Sequence, residues 1–341
     1  MPPEADIFDY VIVGAGAAGC VLANRLAADE SRSVCLLEAG PPDNSLVLRV
    51  PAGVYKASTS PTFAWQFETQ PSAGTAGRAV PMPQGKTLGG STSINGMNYN
   101  RGSQADFDGW ARLGNRGWGY ADVLPYFKRT ERRVGACDPK YRGTSGPLPV
   151  TDTDWHHPVC DAFIMGVRNL GIPVNPDYNA ASQWGVGYYQ RYIEHGWRAS
   201  ASRAFLRPVS RLKNLSVRTD AQVTKILVEG KRAVGVSYVD GAGANARTVK
   251  ARREVIVSAG AANTPKLLHI SGIGPADVLG GLGIPVVHEA AGVGANLQDH
   301  YMIHLVVRVK ETETINGHGL ALIREGAKWL LGRPSLLAIS P

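Results

Sequence analysis

Residues 9–40 read DYVIVGAGAAGCVLANRLAADESRSVCLLEAG, and Gly14, Gly16 and Gly19 stand in it as GxGxxG. They follow a short apolar run rich in branched residues, Phe8 to Val13, which predicts a strand buried on both faces. Behind them Val21, Leu22 and Leu26 recur at helical spacing, and a second apolar run, Val34 to Leu37, ends at Glu38. Each part has a purpose in a strand-turn-helix-strand unit that holds a dinucleotide. Gly14 allows the tight turn, Gly16 lets backbone N–H groups reach a diphosphate, and Gly19 lets the helix lie close on the sheet. A carboxylate at Glu38 accepts hydrogen bonds from a ribose diol and repels a 2′-phosphate. The unit predicts dinucleotide binding but leaves NAD and FAD open, because both carry the ADP moiety.

Two later stretches bear on that choice. Residues 85–102, GKTLGGSTSINGMNYNRG, form a loop dense in small residues and hydroxyls. Its backbone can fold closely over a flat, polar ring system, although a plain surface loop would have the same composition. Residues 260–274, GAANTPKLLHISGIG, follow the apolar strand Val255 to Ser258 and read as a helix returning to the same sheet. Between these stretches, LSVRTDAQVTKILVEG, RAVGVSYVD and ARTVKARREVIVSAG alternate like the strands of a β-meander beside the nucleotide sheet. Helices are expected at 120–130 and near 157–170. Trp110 and Trp118 are expected as core anchors, Tyr99 as a packing residue, and Tyr188, Tyr189 and Trp197 as a buried layer or a pocket wall.

Taken together, GKxLGGST…INGMNYxRG and GAxxTPxLLxxSGIG resemble the two signatures of the glucose-methanol-choline (GMC) flavoprotein oxidoreductase family. FDGWARLGNRGWGYADVLPYF at 107–127 and AGVGANLQDH at 291–300 extend the resemblance over most of the chain, with choline and other alcohol dehydrogenases as similar members. The resemblance implies an α/β fold: a Rossmann-like FAD-binding domain with a β-meander, plus an incomplete α+β substrate-binding domain. FAD-binding residues 1–305 would enclose a substrate-facing segment at about 150–205, and 306–341 would begin the substrate-binding domain. FAD is the implied cofactor. Its expected contacts are Gly14, Ala15, Gly16, Ala17, Gly19, Glu38 and Ala39, then Gly90, Ser91, Asn95, Gly96, Met97 and Asn98, and Val223 at the adenine end through its backbone.

The implied activity is oxidation of a small-molecule alcohol by hydride transfer to flavin N5, with oxygen, a quinone or a dye-like molecule as the final acceptor. Alcohol oxidation calls for a base near the flavin, and histidine is the natural type. The sequence offers His156, His157, His195, His269, His288, His300, His304 and His318, of which His156, His157, His269 and His288 are expected in structural roles. In the family the catalytic histidine lies in a C-terminal segment that has no counterpart here, so no catalytic residue is assigned. The sequence is expected to be the N-terminal part of a longer enzyme. Alone, it is expected to expose apolar surface, bind FAD weakly and turn over poorly. A non-catalytic flavin-binding remnant, or a lyase or photodecarboxylase on the same scaffold, are the alternatives.

Composition narrows the partners. Hydrophobic residues at 44% and charged ones at 19% describe a packed globule, which excludes a disordered chain. The net charge of +8 comes from scattered Lys and Arg, and Arg247 to Arg253 reads as a solvated strand face, so no nucleic-acid partner is expected. Cys20, Cys35, Cys137 and Cys160 show no metal spacing, and the expectation is a reduced, cytoplasmic protein with no metal. No run of about 18 apolar residues is present, so no integral membrane segment is expected.

Overall fold

The run after the N-terminus folds as its pattern requires. In the computed structural model, which describes residues 6–241, 246–300, 308–310 and 319–339, strand β1 is Asp6–Val13, helix α1 is Ala17–Ala27 and strand β2 is Val34–Leu37. All four residues of β2 are buried, as are Val11, Ile12 and Val13. Helix α1 turns Gly19, Cys20, Ala23 and Ala27 inward, a stripe of small side chains that lets it lie close to the sheet. A Cβ on Gly19 would lie 1.9 Å from the Gly14 carbonyl oxygen.

Further along come β3 (Ala64–Glu68), β4 (Pro81–Gly85), β5 (Leu215–Arg218), β6 (Ala221–Glu229), β7 (Arg232–Asp240), β8 (Ala246–Val257) and α2 (Gly260–Ile270). Among the described residues, six strands form one sheet in the order β6-β7-β8-β1-β2-β5. Strands β8, β1, β2 and β5 run parallel, with Val11 beside both Cys35 and Val255. Strands β6, β7 and β8 are the antiparallel meander.

The meander is therefore a continuation of the nucleotide sheet. β8 serves both patterns: residues 246–250 pair with β7, and 249–251 and 254–257 run parallel to β1. The run LSVRTDAQVTKILVEG, one segment in the sequence reading, is two strands at opposite edges of the sheet. Asp220, at φ +52°, turns the chain over the end of β2, where Glu38 N donates to Arg218 O and Ala221 N donates to Glu38 O, each at 2.8 Å. The meander closes a core containing Val11, Val13, Cys35, Leu37, Ile226, Val236, Tyr238 and Leu267. Arg247, Arg252 and Arg253 are exposed on β8.

The chain divides into two compact units. One comprises the described parts of Met1–Ser45, Lys56–Ile94 and Ser200–Val307, and holds every labelled element. The other comprises Leu46–Tyr55, Asn95–Ala199 and the described parts of Arg308–Pro341. In the second unit helices form at Gln104–Arg112, Tyr120–Thr130, Pro158–Asn169 and Gly319–Leu330. Phe107 is the buried aromatic of the first pair, whereas Trp110 and Trp118 are 48% and 53% exposed. Those two rings meet edge to face, and Trp110 meets Phe107 likewise, so they cap a small cluster instead of anchoring a core. Trp197 packs against Trp329 at 4.4 Å, and Tyr189 is exposed beside Tyr178. Leu322, Ile323, Leu330 and Leu331 are more than half exposed. Among the described residues no helix is long and apolar enough to cross a membrane, and the cysteines are free.

Candidate cofactor site

The turn between β1 and α1 opens onto a cavity of about 710 Å³, within the usual range for small-molecule sites. Gly14 makes the turn at φ +93°, where a Cβ would also strike Ser258 O at 2.6 Å, so glycine is required there. Helix α1 starts at Gly16 with no side chain capping it and no acidic residue in its first turn. Its first N–H groups and the positive end of its dipole are left to a ligand.

At the end of β2, Glu38 also lines the cavity and is 5% exposed. Its Oε2 accepts the Ala15 N–H at 2.8 Å, and its Oε1 accepts the Gly40 N–H at 3.0 Å. Burial pushes the carboxyl up to about 7, against these amides, that of Ala39 and the charge of Lys86. The side chain is a hydrogen-bond acceptor fixed in place before any ligand arrives.

The second loop reaches the same cavity through Gln84, Gly85, Gly90, Ser91 and Thr92. Its backbone touches the first turn directly: Gly89 N donates to Ala15 O at 2.8 Å, and a Cβ on Gly90 would lie 2.7 Å from the Gly16 Cα. Gly90 holds φ +52°. The loop hydroxyls all bond to backbone, and Thr92 Oγ1 also accepts Ala201 N at 2.9 Å. Ser91 Oγ accepts from Gly85 N at 3.0 Å, Thr92 Oγ1 donates to Gly89 O at 2.5 Å, and Ser93 Oγ donates to Leu88 O at 2.7 Å.

Of the expected contacts, Gly14, Gly16, Ala17, Glu38, Ala39, Gly90, Ser91 and Val223 line this cavity. Ala15 is buried with its N–H on Glu38, and Gly19 packs the helix on the turn. Asn95, Gly96, Met97 and Asn98 belong to the second unit and do not line it. There Met97 is fully buried at φ +63°, its N–H on Asn95 Oδ1 at 3.2 Å, and Arg198 Nη1 donates to Asn95 O at 2.6 Å. Tyr99 sits beside Met97 in a small core and under the Arg101 and Arg142 guanidinium groups, a packing role.

Sequence reasoning missed Trp65, Gln84, Gln222, Thr224, Asn263 and Lys266, which also line the cavity. Asn263 and Lys266 stand inside the GAANTPKLLHISGIG stretch, and α2 delivers them to the rim. Trp65 gives only a strand signal.

No histidine lines the cavity among the described residues. His157 caps the helix Pro158–Asn169 by accepting Val159 N–H at 3.2 Å, and the His156 ring rests on Tyr188 at 4.5 Å. His269 Nε2 bonds Val293 O at 3.1 Å, and His195 occupies a hairpin turn at φ +50°. His288 is exposed in a short strand, and His300 is exposed. His304 and His318 lie outside the described residues.

The residues present fit FAD. A buried acceptor suits ribose hydroxyls, an uncapped helix N-terminus suits a diphosphate, and Gly14 and Gly90, where a Cβ would strike neighbouring backbone, let the two turns close on each other at the cavity wall.

The GMC oxidoreductase family model matches residues 8–302. Over 334 residues the chain is 42% identical to an oxygen-dependent choline dehydrogenase of Photobacterium profundum, a match covering 96% of this chain and 58% of that protein. It is 44% identical over 300 residues to an alcohol dehydrogenase (acceptor) of Pseudomonas putida, covering 88% and 54%. A solved FAD-dependent oxidoreductase from Chaetomium thermophilum superposes with a TM-score of 0.86 at 31% identity, covering 98% of this chain and 60% of that one. The chain spans less than two thirds of the length of these relatives. A family match that runs from β1 past the end of α2, on a sheet and cavity of this kind, makes the chain a member of the GMC oxidoreductase family, whose members bind FAD.

Proposed function

We propose that this chain forms the FAD-holding part of an enzyme that oxidises a small alcohol, the hydride leaving the carbon that bears the hydroxyl. One observation carries the reading: the glycine turn, Glu38 and the loop at Gly90 to Thr92 face a single cavity. Bound FAD would supply the two-electron acceptor. The backbone from Gly14 to Ala17 would hold the diphosphate, Glu38 the ribose and Val223 the adenine edge, while Gly90 and Ser91 would cover the cofactor. Asn95, Gly96, Met97 and Asn98 belong to the same proposal through the family resemblance rather than through this cavity. Relatives named as choline and alcohol dehydrogenases support an alcohol as donor.

A second reading, a chain that holds flavin without turnover, is favoured by the cavity's titratable lining. Among the described residues this is Glu38 and Lys266, with no histidine to take a hydroxyl proton. The test is to purify the chain, identify the cofactor released on denaturation, and follow dye reduction with choline and a panel of other alcohols. Released FAD with weak but alcohol-dependent reduction is the expected result. FAD without reduction selects the second reading, and released NAD overturns both.

A further inference from the structure

Two helices begin at the wall of the cavity. Helix α1 starts there behind Gly16, and α2 starts there behind Ala259, with Ser258, Ala259, Gly260 and Ala261 all in the lining. The two starts adjoin, since a Cβ on Gly14 would lie 3.0 Å from the Ala259 Cα. Like α1, α2 has no side chain capping it and no acidic residue in its first turn. Both helices therefore present the positive ends of their dipoles to the same space.

Further along α2, Asn263, Lys266 and Ile270 recur at the spacing of one helix face, and all three line the cavity. Lys266 lies about 9 Å along the axis from Gly260, and helix side chains tilt back toward the N-terminus, so its ammonium leans toward the two helix starts. The residue is exposed, and among the described residues no carboxylate or carbonyl holds its ammonium. Other charges around the cavity are engaged elsewhere or lie outside its lining. Glu38 is buried on the amides of Ala15 and Gly40. Lys86 sits over the Trp65 ring at 4.7 Å, and neither it nor Lys225 on β6 lines the cavity. Arg203 lies 3.9 Å from Asp43, Arg218 donates to Asp6 at 2.7 Å, and His269 on α2 bonds Val293 O at 3.1 Å. Among the described residues Lys266 is the cation of the lining.

We propose that Lys266 is the loading residue of this cavity: its ammonium draws the dianionic diphosphate of FAD toward the two helix starts, and it sets the rate of association more than the affinity. This rests on the reading that the cavity holds FAD. A separation of about 9 Å is close to the screening length of about 8 Å at physiological ionic strength, so the attraction is strong in dilute salt and screened in concentrated salt. A rim charge acts on the approach of an oppositely charged ligand, whereas the contacts that hold the bound cofactor come from the backbone of the turns.

The test is stopped-flow mixing of the flavin-free chain with FAD, followed by flavin fluorescence, at about 0.02 M and about 0.5 M salt. In dilute salt Lys266→Gln should slow association about threefold to fivefold and Lys266→Glu about tenfold or more, with dissociation changed less than about twofold. In concentrated salt both variants should associate within about 1.5-fold of wild type, which also shows that they fold. Lys250→Gln, which removes the same charge from an exposed position on β8 outside the lining, should leave the rate unchanged in either salt. An unchanged association rate in Lys266→Gln, a loss that persists in concentrated salt, or equal slowing by Lys250→Gln would overturn the proposal. So would a change confined to dissociation, because it means that Lys266 grips the bound cofactor directly. A wild-type chain that takes up no FAD in either salt would defeat the reading of the cavity itself.

Discussion

Arg142 meets Glu131 in a two-point pair, Nε to Oε1 at 2.9 Å and Nη2 to Oε2 at 3.1 Å, with both side chains fully buried. Around it, Arg101 Nη2 stands 2.6 Å from Glu131 Oε1, Gly143 N donates to Oε1 at 2.8 Å, and Arg142 Nη1 reaches Gln190 and Asp177. Burial alone would push the Glu131 carboxyl up. The Arg142 hydrogen bonds, the Arg101 charge and the Gly143 amide outweigh it and hold the group below 4.5. The network joins the strand Glu131–Arg133 to the chain after Met97, since Gln190 O also accepts Tyr99 N at 2.8 Å.

Breaking one side of a buried pair leaves an uncompensated charge, so Arg142→Met should cost about 3–5 kcal/mol. Replacing both partners by apolar residues of similar volume should recover part of that loss. Urea unfolding of the single and double variants measures both. Because the folded-state pKa of Glu131 is depressed, its contribution is present above about 4.5 and is lost as pH falls below that value.

Gly90→Ala should abolish flavin retention. The position combines φ +52° with a Cβ that would sit 2.7 Å from Gly16 Cα, so the second loop would have to leave the first turn. Gly77 is the control, with φ +73° and nothing within 4 Å of a Cβ. Gly77→Ala should cost only the left-handed backbone strain, about 1–2 kcal/mol, with flavin absorbance per protein unchanged. Equal flavin loss in the two variants would mean that close approach is not what Gly90 provides.

The β1-α1-β2 unit was legible because every requirement in it is local: doubly buried strands without alternation, glycines at the turn, and a carboxylate at the strand end. The split of residues 215–229 was not, because LSVR and AQVTKILVE have the same texture and only the neighbouring backbone of Glu38 separates them. Trp65 was missed for a related reason. The pattern AWQFE reports a half-buried strand, and a wall of a ligand cavity buries a side chain as a core does. The hydroxyls of Thr92 and Ser93 donate within the loop, because short side chains beside backbone carbonyls close on their own loop first.

Glu38 ties stability to cofactor binding, with opposite signs in the free and bound states. Its pKa is raised from 4.5 to about 7 by burial. The stabilisation is therefore fully present below about 4.5 and is lost as pH rises through about 7. In the flavin-free chain, the stability of wild type relative to Glu38→Gln should fall between about pH 5 and about pH 8, by on the order of 1–3 kcal/mol. With FAD bound, ribose hydroxyls donating to the carboxylate offset the penalty of charging it, so wild type should keep its advantage at the higher pH. Thermal melts of both proteins, with and without FAD at the two pH values, measure the four differences. A relative stability that stays constant with pH in the flavin-free pair would mean that Glu38 does not ionise in this window, and the offset expected from FAD would vanish with it.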